Sequence, residues 1–405
     1  MAYETINPSN GVRLAVFREH TDSEVESAIA QAHKTYERWR RKSFADRATL
    51  LRKVASLMRE RKEELARINT LEMGKLFQES LGETVLAADI FAYYAQNAER
   101  FLAPVSLNHT DGEATVVSQP LGVIFGIEPW NLPYYQVARF AAPNLMAGNT
   151  VIVKHAPSVP QCANLIEKLF LEAGADSGTY TNLRLTNEQS SEVIADDRIR
   201  GVALTGSVRA GKEIASQVGK VVKRSTMELG GSDPFIVLED ANLNKAIDAA
   251  VFSRLLVNGQ GCGCAKRFII VESLFDAFLA GPKKEVASIT IGDPMERTTR
   301  LGPMSSARTR DLLLDQIDRA TKRGATVVSG GRKMDREGFY CEPAILTNID
   351  RSNPVYKEEV FGPIFMLFKV RDENQAVLLA NDSPFGLACT IFTENRSRGE
   401  RIGWR

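Results

Sequence analysis

Residues 201–215 read GVALTGSVRAGKEIA, an apolar run that breaks at Gly206-Ser207 and passes directly into a helical pattern. A buried strand, a glycine-containing turn and a helix start in immediate succession form the repeating unit of a parallel α/β sheet. The same texture recurs on both sides. ATVVS at 114–118, GVIFGI at 122–127 and TVIVK at 150–154 precede it, while PFIVL at 234–238, RFIIVE, ATVVSG and FMLFKV follow, alternating with helical stretches. Two such series predict two α/β domains with a seam near residues 228–233. Three polar helical stretches lie ahead of them. The first follows a T-x-x-E capping box at Thr21–Glu24 and carries Val25, Ile29, Ala32 and Tyr36 on one face; the others run over 43–67 and 70–103.

Composition narrows the function classes. The 405 residues are 44% hydrophobic and 25% charged, the profile of a soluble globular protein, and the length suggests two domains or three. Lys plus Arg number 51 against 50 for Asp plus Glu, so overall charge gives no case for nucleic acid or an anionic membrane and points to a small-molecule partner. MAYETINPSNGVRLAVF resembles neither a secretion signal nor a transit peptide, and no apolar run approaches a membrane span, which predicts a cytoplasmic protein. The five cysteines (Cys162, Cys262, Cys264, Cys341, Cys389) are scattered and odd in number, favouring thiols over a disulfide framework. Neither they nor the four histidines show zinc-ligand spacing, so no metal is expected.

Ligands of parallel sheets bind beyond the carboxyl ends of the strands, so the chemistry is sought in the loops after the apolar runs. The LTGS turn offers backbone N–H groups and the Ser207 hydroxyl to an anion, or is an ordinary strand-to-helix turn. Lys154 closes a buried strand, where its stem either carries the charge out to water or reaches a ribose hydroxyl. Glu228, in ELGG beside two glycines that admit a close approach, is a general-base candidate or a helix cap. Asn131, stiffened by flanking prolines in EPWNLP, is an oxyanion donor or an Asx-turn residue. NGQGCGCAKR at 258–267 presents two sulfurs. Small neighbours expose a thiol there, and Lys266 and Arg267 add positive potential that favours a thiolate, although either cysteine could equally be packing.

Taken together these stretches resemble the NAD(P)-dependent aldehyde dehydrogenase family. PWNLP is similar to its PWNFP, VIVKHAP to its strand-end lysine motif, LTGS to its FTGS, ELGGSDPFIVL to its ELGG-x-x-P, NGQGC to its N-x-G-Q-x-C and EEVFGP at 358–363 to its E-E-x-F-G-P. The six motifs stand in the family's order, and the match runs from residue 4 to about 399. MELGGSDPFIVL, KHAP and AKRFI look closest to the bacterial succinate-semialdehyde dehydrogenases.

The resemblance implies an α/β fold of two Rossmann-like domains, with residues 1–101 and 121–228 binding NAD(P), 102–120 forming a small β oligomerisation arm and 229–405 catalytic. It makes Cys262 the nucleophile, Glu228 the base that activates water, and the Asn131 amide with the Cys262 N–H the oxyanion hole. Trp130, Lys154, Gly206, Ser207, Leu229, Glu359 and Phe361 become cofactor contacts, with Lys154 and Glu359 on the two riboses. Arg139 corresponds to a ligand of the substrate carboxylate, which its planar fork suits. Pro157 stands where an acid would exclude a 2′-phosphate, so NAD and NADP are both expected. The N-x-G-Q-x-C register leaves Cys264 as packing or as a thiol that captures an oxidised Cys262. Gly261 and Gly263, beside the nucleophile, suggest a looser aldehyde pocket. Family members are homodimers or homotetramers and continue past FGLACTIFTENRSRGERI, which implies a catalytic domain incomplete at its carboxyl end. An impaired relative that only binds cofactor or partners, and an enzyme passing the acyl group to coenzyme A, are the alternative readings.

Overall fold

The computed structural model describes residues 3–405, which divide into two compact units. Unit 1 comprises residues up to Ile6, Arg13–Glu72 and Ser80–Leu229; unit 2 comprises Asn7–Val12, Met73–Glu79 and Gly230–Arg405.

Unit 1 begins with the antiparallel pair β1 (Tyr3–Ile6) and β2 (Arg13–Phe17) and continues through α1 (Asp22–Trp39), α2 (Phe44–Glu60), α3 (Lys62–Met73) and α4 (Phe77–Phe101). The Thr21–Glu24 capping box forms, and Val25, Ile29, Ala32 and Tyr36 are all buried. The two longer helical stretches are each divided. Arg61 leaves helical geometry between α2 and α3, and Gly74, at φ +85°, separates α3 from α4. A side chain at Gly74 would strike Pro8 and Pro303, so both the left-handed turn and the close approach demand glycine.

Next comes the exposed ribbon of β3 (Val105–Leu107) with β4 (Ala114–Val116). The parallel-sheet half follows: β5 (Val123–Glu128), α5 (Pro133–Ala147), β6 (Thr150–His155), α6 (Pro160–Glu172), β7 (Tyr180–Asn182), α7 (Asn187–Ala195), β8 (Ile199–Thr205), α8 (Val208–Lys220) and β9 (Arg224–Glu228). Its five strands are parallel in the order β7-β6-β5-β8-β9. That order places a topological switch point between β5 and β8, where successive crossovers leave in opposite directions. β5 and β6 are almost wholly buried, but β9 (RSTME) is a polar edge strand and β7 is three residues long. Neither has an apolar run to announce it.

Unit 2 contains β10 (Pro234–Val237), α9 (Leu243–Leu255), β11 (Arg267–Val271), α10 (Glu272–Ser288), α11 (Ala307–Lys322), β12 (Thr326–Gly330), β13 (Ala344–Thr347), β14 (Ile364–Val370), α12 (Glu373–Asn381), β15 (Thr390–Phe392) and α13 (Arg396–Gly403). The sheet order is β12-β13-β14-β11-β10-β15, parallel except at the β12/β13 edge. Central β11 and β14 bury nearly every residue, with the tilted rings of Phe235, Phe268 and Phe365 packed on one face. Among the described residues no helix is long and apolar enough to cross a membrane.

Helices α5 and α6 share an unusual start. Each has proline in its first turn and an apolar residue, Leu132 or Val159, at the N-cap, with no side-chain cap. Their unsatisfied N–H groups are met from a distance. Glu83 Oε1 accepts from Tyr134 N (2.8 Å) and Tyr135 N (3.0 Å), and Glu72 accepts from Gln161 N and Cys162 N (both 2.9 Å). Burial pushes the Glu72 carboxyl up to about 7, although the bonds from Thr5, Cys162 and Gln161 oppose the rise.

A pH dependence of stability follows. With its folded value near 7 and an ordinary value of 4.5, Glu72 binds its proton more readily in the native state across that interval. Its contribution is therefore complete below pH 4.5 and is lost as pH rises through 7. Urea unfolding at pH 5 and pH 8 is expected to show wild type losing about 3 kcal/mol relative to Glu72→Gln over that interval. Parallel curves for the two proteins would contradict this account.

Candidate active site

Every expected site residue of unit 1 except Arg139 lies at or just beyond the carboxyl end of a parallel strand. Trp130 and Asn131 follow β5, Lys154 is the penultimate residue of β6, Gly206 and Ser207 follow β8, Glu228 ends β9 and Leu229 follows it. The Pro129–Pro133 turn buries Asn131 to 5% exposure and packs Trp130 against the hydrophobic core. Glu83 fixes what comes next by capping α5, and its other oxygen accepts from Asn69 Nδ2 at 2.7 Å. The amide of Asn131 is thus carried on a turn whose downstream helix is anchored by a carboxylate from α4.

Lys154 is 9% exposed, and burial lowers its pKa; its ammonium lies 5.9 Å from the Tyr3 ring centroid. The side chain does not run out to water. Ser207 is the N-cap of α8, accepting from Ala210 N at 3.3 Å. Gly206 N donates to Glu228 O at 2.9 Å, joining the turn after β8 to the end of β9 through the backbone. Leu229 packs on α8 at Gly211, where any β-carbon would collide with its methyl groups.

Glu228 is the last residue of a strand, not a loop residue. Its carboxylate stands 3.5 Å from the Arg139 guanidinium of α5, with both side chains about two-fifths exposed. Arg139 also approaches Thr205 Oγ1 at 3.5 Å. The sequence treats Glu228 and Arg139 as separate candidates, 89 positions apart; the β5-β8-β9 arrangement brings them together. Nearby is Glu128, which sequence reading passed over. It is fully buried, and desolvation holds its carboxyl well above the ordinary range against the attraction of Arg139. Its only sequence signal is an acidic residue ending an apolar run.

In unit 2 the loop 257–264 is held in a strained form. Val257, Asn258 and Gly259 have φ of 56°, 54° and 72° in succession. Left-handed geometry is rare for a β-branched residue and costs about 1–3 kcal/mol, so other contacts must maintain it. Asn258 Nδ2 donates to the Gly74 and Pro303 carbonyls (2.8 and 2.9 Å), its Oδ1 accepts from Gly302 N (2.9 Å), and Glu79 accepts from Val257 N (3.0 Å). Gln260 Oε1 accepts from Ser305 N at 3.1 Å. The Asn and Gln of NGQGC are thus anchors of the loop.

Cys262 is partly exposed, whereas Cys264 is 4% exposed and its thiol reaches the Leu256 carbonyl at 3.5 Å. Gly261 does not loosen this region; a β-carbon there would collide with the Cys264 sulfur, so the glycine is what lets Cys264 pack. Gly263 faces open space. Cys264 is accordingly a packing residue, and the two sulfurs are unequal.

The double glycine of ELGG has a similar explanation. A side chain on Gly230 would overlap the Glu359 carboxylate, and one on Gly231 would press on the Cys262 carbonyl at 3.1 Å. Glu359 Oε1 accepts from Gly231 N at 3.0 Å and lies 3.5 Å from Lys266 Nζ. Lys266 is wholly buried, and its ammonium also lies 5.9 Å from the Phe361 ring centroid. Arg267 points elsewhere, donating to the carbonyls of Ser232, Leu379 and Ala380. It braces the sheet and adds no local donor to the cysteine loop. Among the described residues no group of three or more His, Cys, Asp or Glu is placed to hold a metal ion.

Comparison with known proteins adds a common pattern. The model of the Aldehyde dehydrogenase family matches residues 1–405. The succinate-semialdehyde dehydrogenase [NADP(+)] of Deinococcus radiodurans is 43% identical over 403 residues, spanning 100% of this chain and 84% of that protein. The Escherichia coli succinate semialdehyde dehydrogenase [NAD(P)+] Sad is 39% identical over 401 residues, with 99% and 87% covered. Among solved structures, succinic semialdehyde dehydrogenase from Streptococcus pyogenes with NADP+ as the cofactor superposes with a TM-score of 0.98 at 41% identity, covering 100% of this chain and 89% of that one.

The remote cap of α5 gives a direct test. Glu83→Gln keeps the volume but turns an amide NH2 toward groups that are themselves donors, so urea unfolding is expected to show a loss of about 1–3 kcal/mol. Unchanged stability would mean that the Tyr134 and Tyr135 N–H groups find another acceptor.

Proposed function

Because the chain belongs to the aldehyde dehydrogenase family, we propose that it oxidises a short semialdehyde bearing a distant carboxylate, succinate semialdehyde first among them, to the dicarboxylate with NAD(P)+. The observation that carries this reading is Cys262, a partly exposed thiol on a loop whose strained backbone is held by buried side chains. Rigid mounting lets a nucleophile meet a carbonyl without reorganisation. The Deinococcus and Escherichia relatives, named for succinate semialdehyde, support the substrate class, and Arg139 is the group assigned to its carboxylate.

The residues fit a dinucleotide. Lys154 is a buried ammonium that gains a partner if a ribose hydroxyl or 2′-phosphate reaches it, and no acid stands at Pro157 to repel that phosphate. The N-terminus of α8 faces the same strand ends and favours phosphate oxygens. Glu359, already oriented by Gly231 N–H, supplies the acceptor for the second ribose. When bound, the nicotinamide provides the acceptor for the hydride leaving the aldehyde carbon.

The protein's own part then runs in order. The family resemblance assigns the Cys262 thiolate to attack on the aldehyde carbon, and the Asn131 amide and the Cys262 backbone N–H to the oxygen of the resulting thiohemiacetal. Loss of hydride leaves a thioester on Cys262. Glu228 takes a proton from water, the hydroxide attacks the thioester, and the acid leaves with the thiol restored. Arg139, paired with Glu228 at 3.5 Å, is positioned to exchange that partner for the substrate's distant carboxylate. A base kept for water favours hydrolysis over transfer to coenzyme A.

Turnover of succinate semialdehyde, propanal and benzaldehyde, each with NAD and with NADP, tests the reading. Succinate semialdehyde is expected to give the highest kcat/KM, both cofactors to be reduced, and Cys262→Ala to lose activity to background. Equal rates for Cys262→Ala and wild type would end the mechanism, and NADP turnover at background would end dual cofactor use. Arg139→Met is expected to raise KM for succinate semialdehyde at least about 10-fold more than KM for propanal, the scale of one lost charged hydrogen bond. Equal effects on the two substrates would remove Arg139 from carboxylate recognition.

A further inference from the structure

We infer that Lys266 is a positioning residue for the oxyanion site, setting the direction in which the Cys262 backbone N–H points. The inference rests on the reading of Cys262 as nucleophile. Lys266 Nζ is wholly buried and donates to three carbonyls of one short loop, those of Gly261 (3.2 Å), Cys262 (2.7 Å) and Cys264 (3.2 Å). An ammonium has three N–H donors, so the loop takes all of them. In a trans peptide the C=O of one residue and the N–H of the next point in opposite directions. Drawing the Gly261 carbonyl toward Lys266 therefore turns the Cys262 N–H away from it, and drawing in the Cys262 carbonyl does the same for the Gly263 N–H.

The same ammonium ties this loop to two other expected site residues. Glu359 is its charge partner at 3.5 Å, and the Phe361 ring lies 5.9 Å away. Burial lowers the Lys266 pKa, and the neighbouring Arg254 guanidinium adds to that, while Glu359 and Asp233 oppose it. Such a group is costly to keep where a methionine would pack more cheaply. The three converging carbonyls give the reason for its presence: Lys266 is the side-chain donor that fixes the Gly261 and Cys262 peptides, with the Gly261 carbonyl also accepting from Cys264 N at 3.4 Å. Flanking glycines make rotation of these peptides easy, because neither Gly261 nor Gly263 restricts it sterically. A hydrogen-bonded pin does the work that side-chain bulk does elsewhere.

Two reactions of the same thiol separate this role from its rivals. Alkylation of Cys262 by iodoacetamide displaces iodide and develops no oxyanion, whereas aldehyde oxidation requires one. Both are measured for wild type and Lys266→Met across pH, and the pH-independent plateau rates are compared, with Cys262→Ala as the alkylation blank and urea midpoints confirming folding. Lys266→Met is expected to lower plateau kcat/KM for the aldehyde about 100-fold, as loss of an oxyanion donor does, while plateau alkylation stays within about 3-fold. Equal falls in both plateaus would make Lys266 a purely structural support. Retained plateaus with a displaced pH midpoint would assign it to thiolate stabilisation instead. Either result, or unchanged oxidation, overturns the inference. Should Lys266→Met not be recovered folded, Lys266→Gln fills most of the same space and serves the same comparison. Failure of the functional reading shows separately, as absence of wild-type turnover on every aldehyde tried.

Discussion

Buried irregular backbone must find hydrogen-bond partners, and in this protein charged side chains from other elements supply them. A helix that follows a site loop ordinarily begins with Ser, Thr, Asp or Asn at its N-cap. Helices α5 and α6 begin instead with Leu132-Pro133 and Val159-Pro160, and the carboxylates of Glu83 and Glu72 satisfy their first N–H groups. Moving the cap to a distant helix leaves the preceding loops to carry Trp130-Asn131 and Lys154. In unit 2 Glu79 accepts from Val257 N, Glu359 accepts from Gly231 N, and Lys266 donates to the carbonyls at 261, 262 and 264. Losing any one of these groups leaves backbone groups unpaired, each costing about 1–3 kcal/mol.

The constraint also explains where strain is stored. Three consecutive left-handed residues, one of them Val257, would not persist in a free loop. Asn258 bonds three backbone groups around them, and Gly259 is required because its α-carbon lies against the backbone of Gly362 and Pro363. The strain places Cys262 at the partly exposed end of a segment that is otherwise buried. The same contacts therefore maintain the strained backbone and the partial exposure of the thiol. Charge distribution follows a related logic: desolvation holds the Glu128 carboxyl above its ordinary range beside Arg139, while the guanidinium pairs with Glu228 at 3.5 Å.

Much of the fold was legible because burial leaves a period in the sequence. β5, β6, β8, β10, β11 and β14 are apolar runs, and α1 shows both its cap and its buried face. Strands without that signature were missed. β7 is three residues long, β9 is polar because it is an edge, and β13 and β15 are too short or too mixed to stand out. The expected helices over 43–67 and 70–103 are broken at Arg61 and Gly74, the second for a steric reason that involves Pro8 and Pro303, far away in sequence. Glu228 was read as a loop residue for the same cause, since nothing local marks RSTME as a strand.

What the sequence determined by itself was the chemistry on offer: the thiol of NGQGC, the acid of ELGG, the amide of PWN, the lysine closing TVIVK and the family whose motif order these share. Each depends on residue type and spacing along the chain, which folding does not alter. Tertiary structure alone decided which of these groups act on each other. It distinguished Cys262 from Cys264 by placing one sulfur beneath Gly261 and leaving the other partly exposed. It paired Arg139 with Glu228, seated the Glu359 carboxylate in the space that Gly230 leaves open, and turned Lys266 from a nearby positive charge into a three-point support. Direction is the physical reason. A hydrogen bond depends on where a donor points in three dimensions, and a one-dimensional sequence records only that the donor exists.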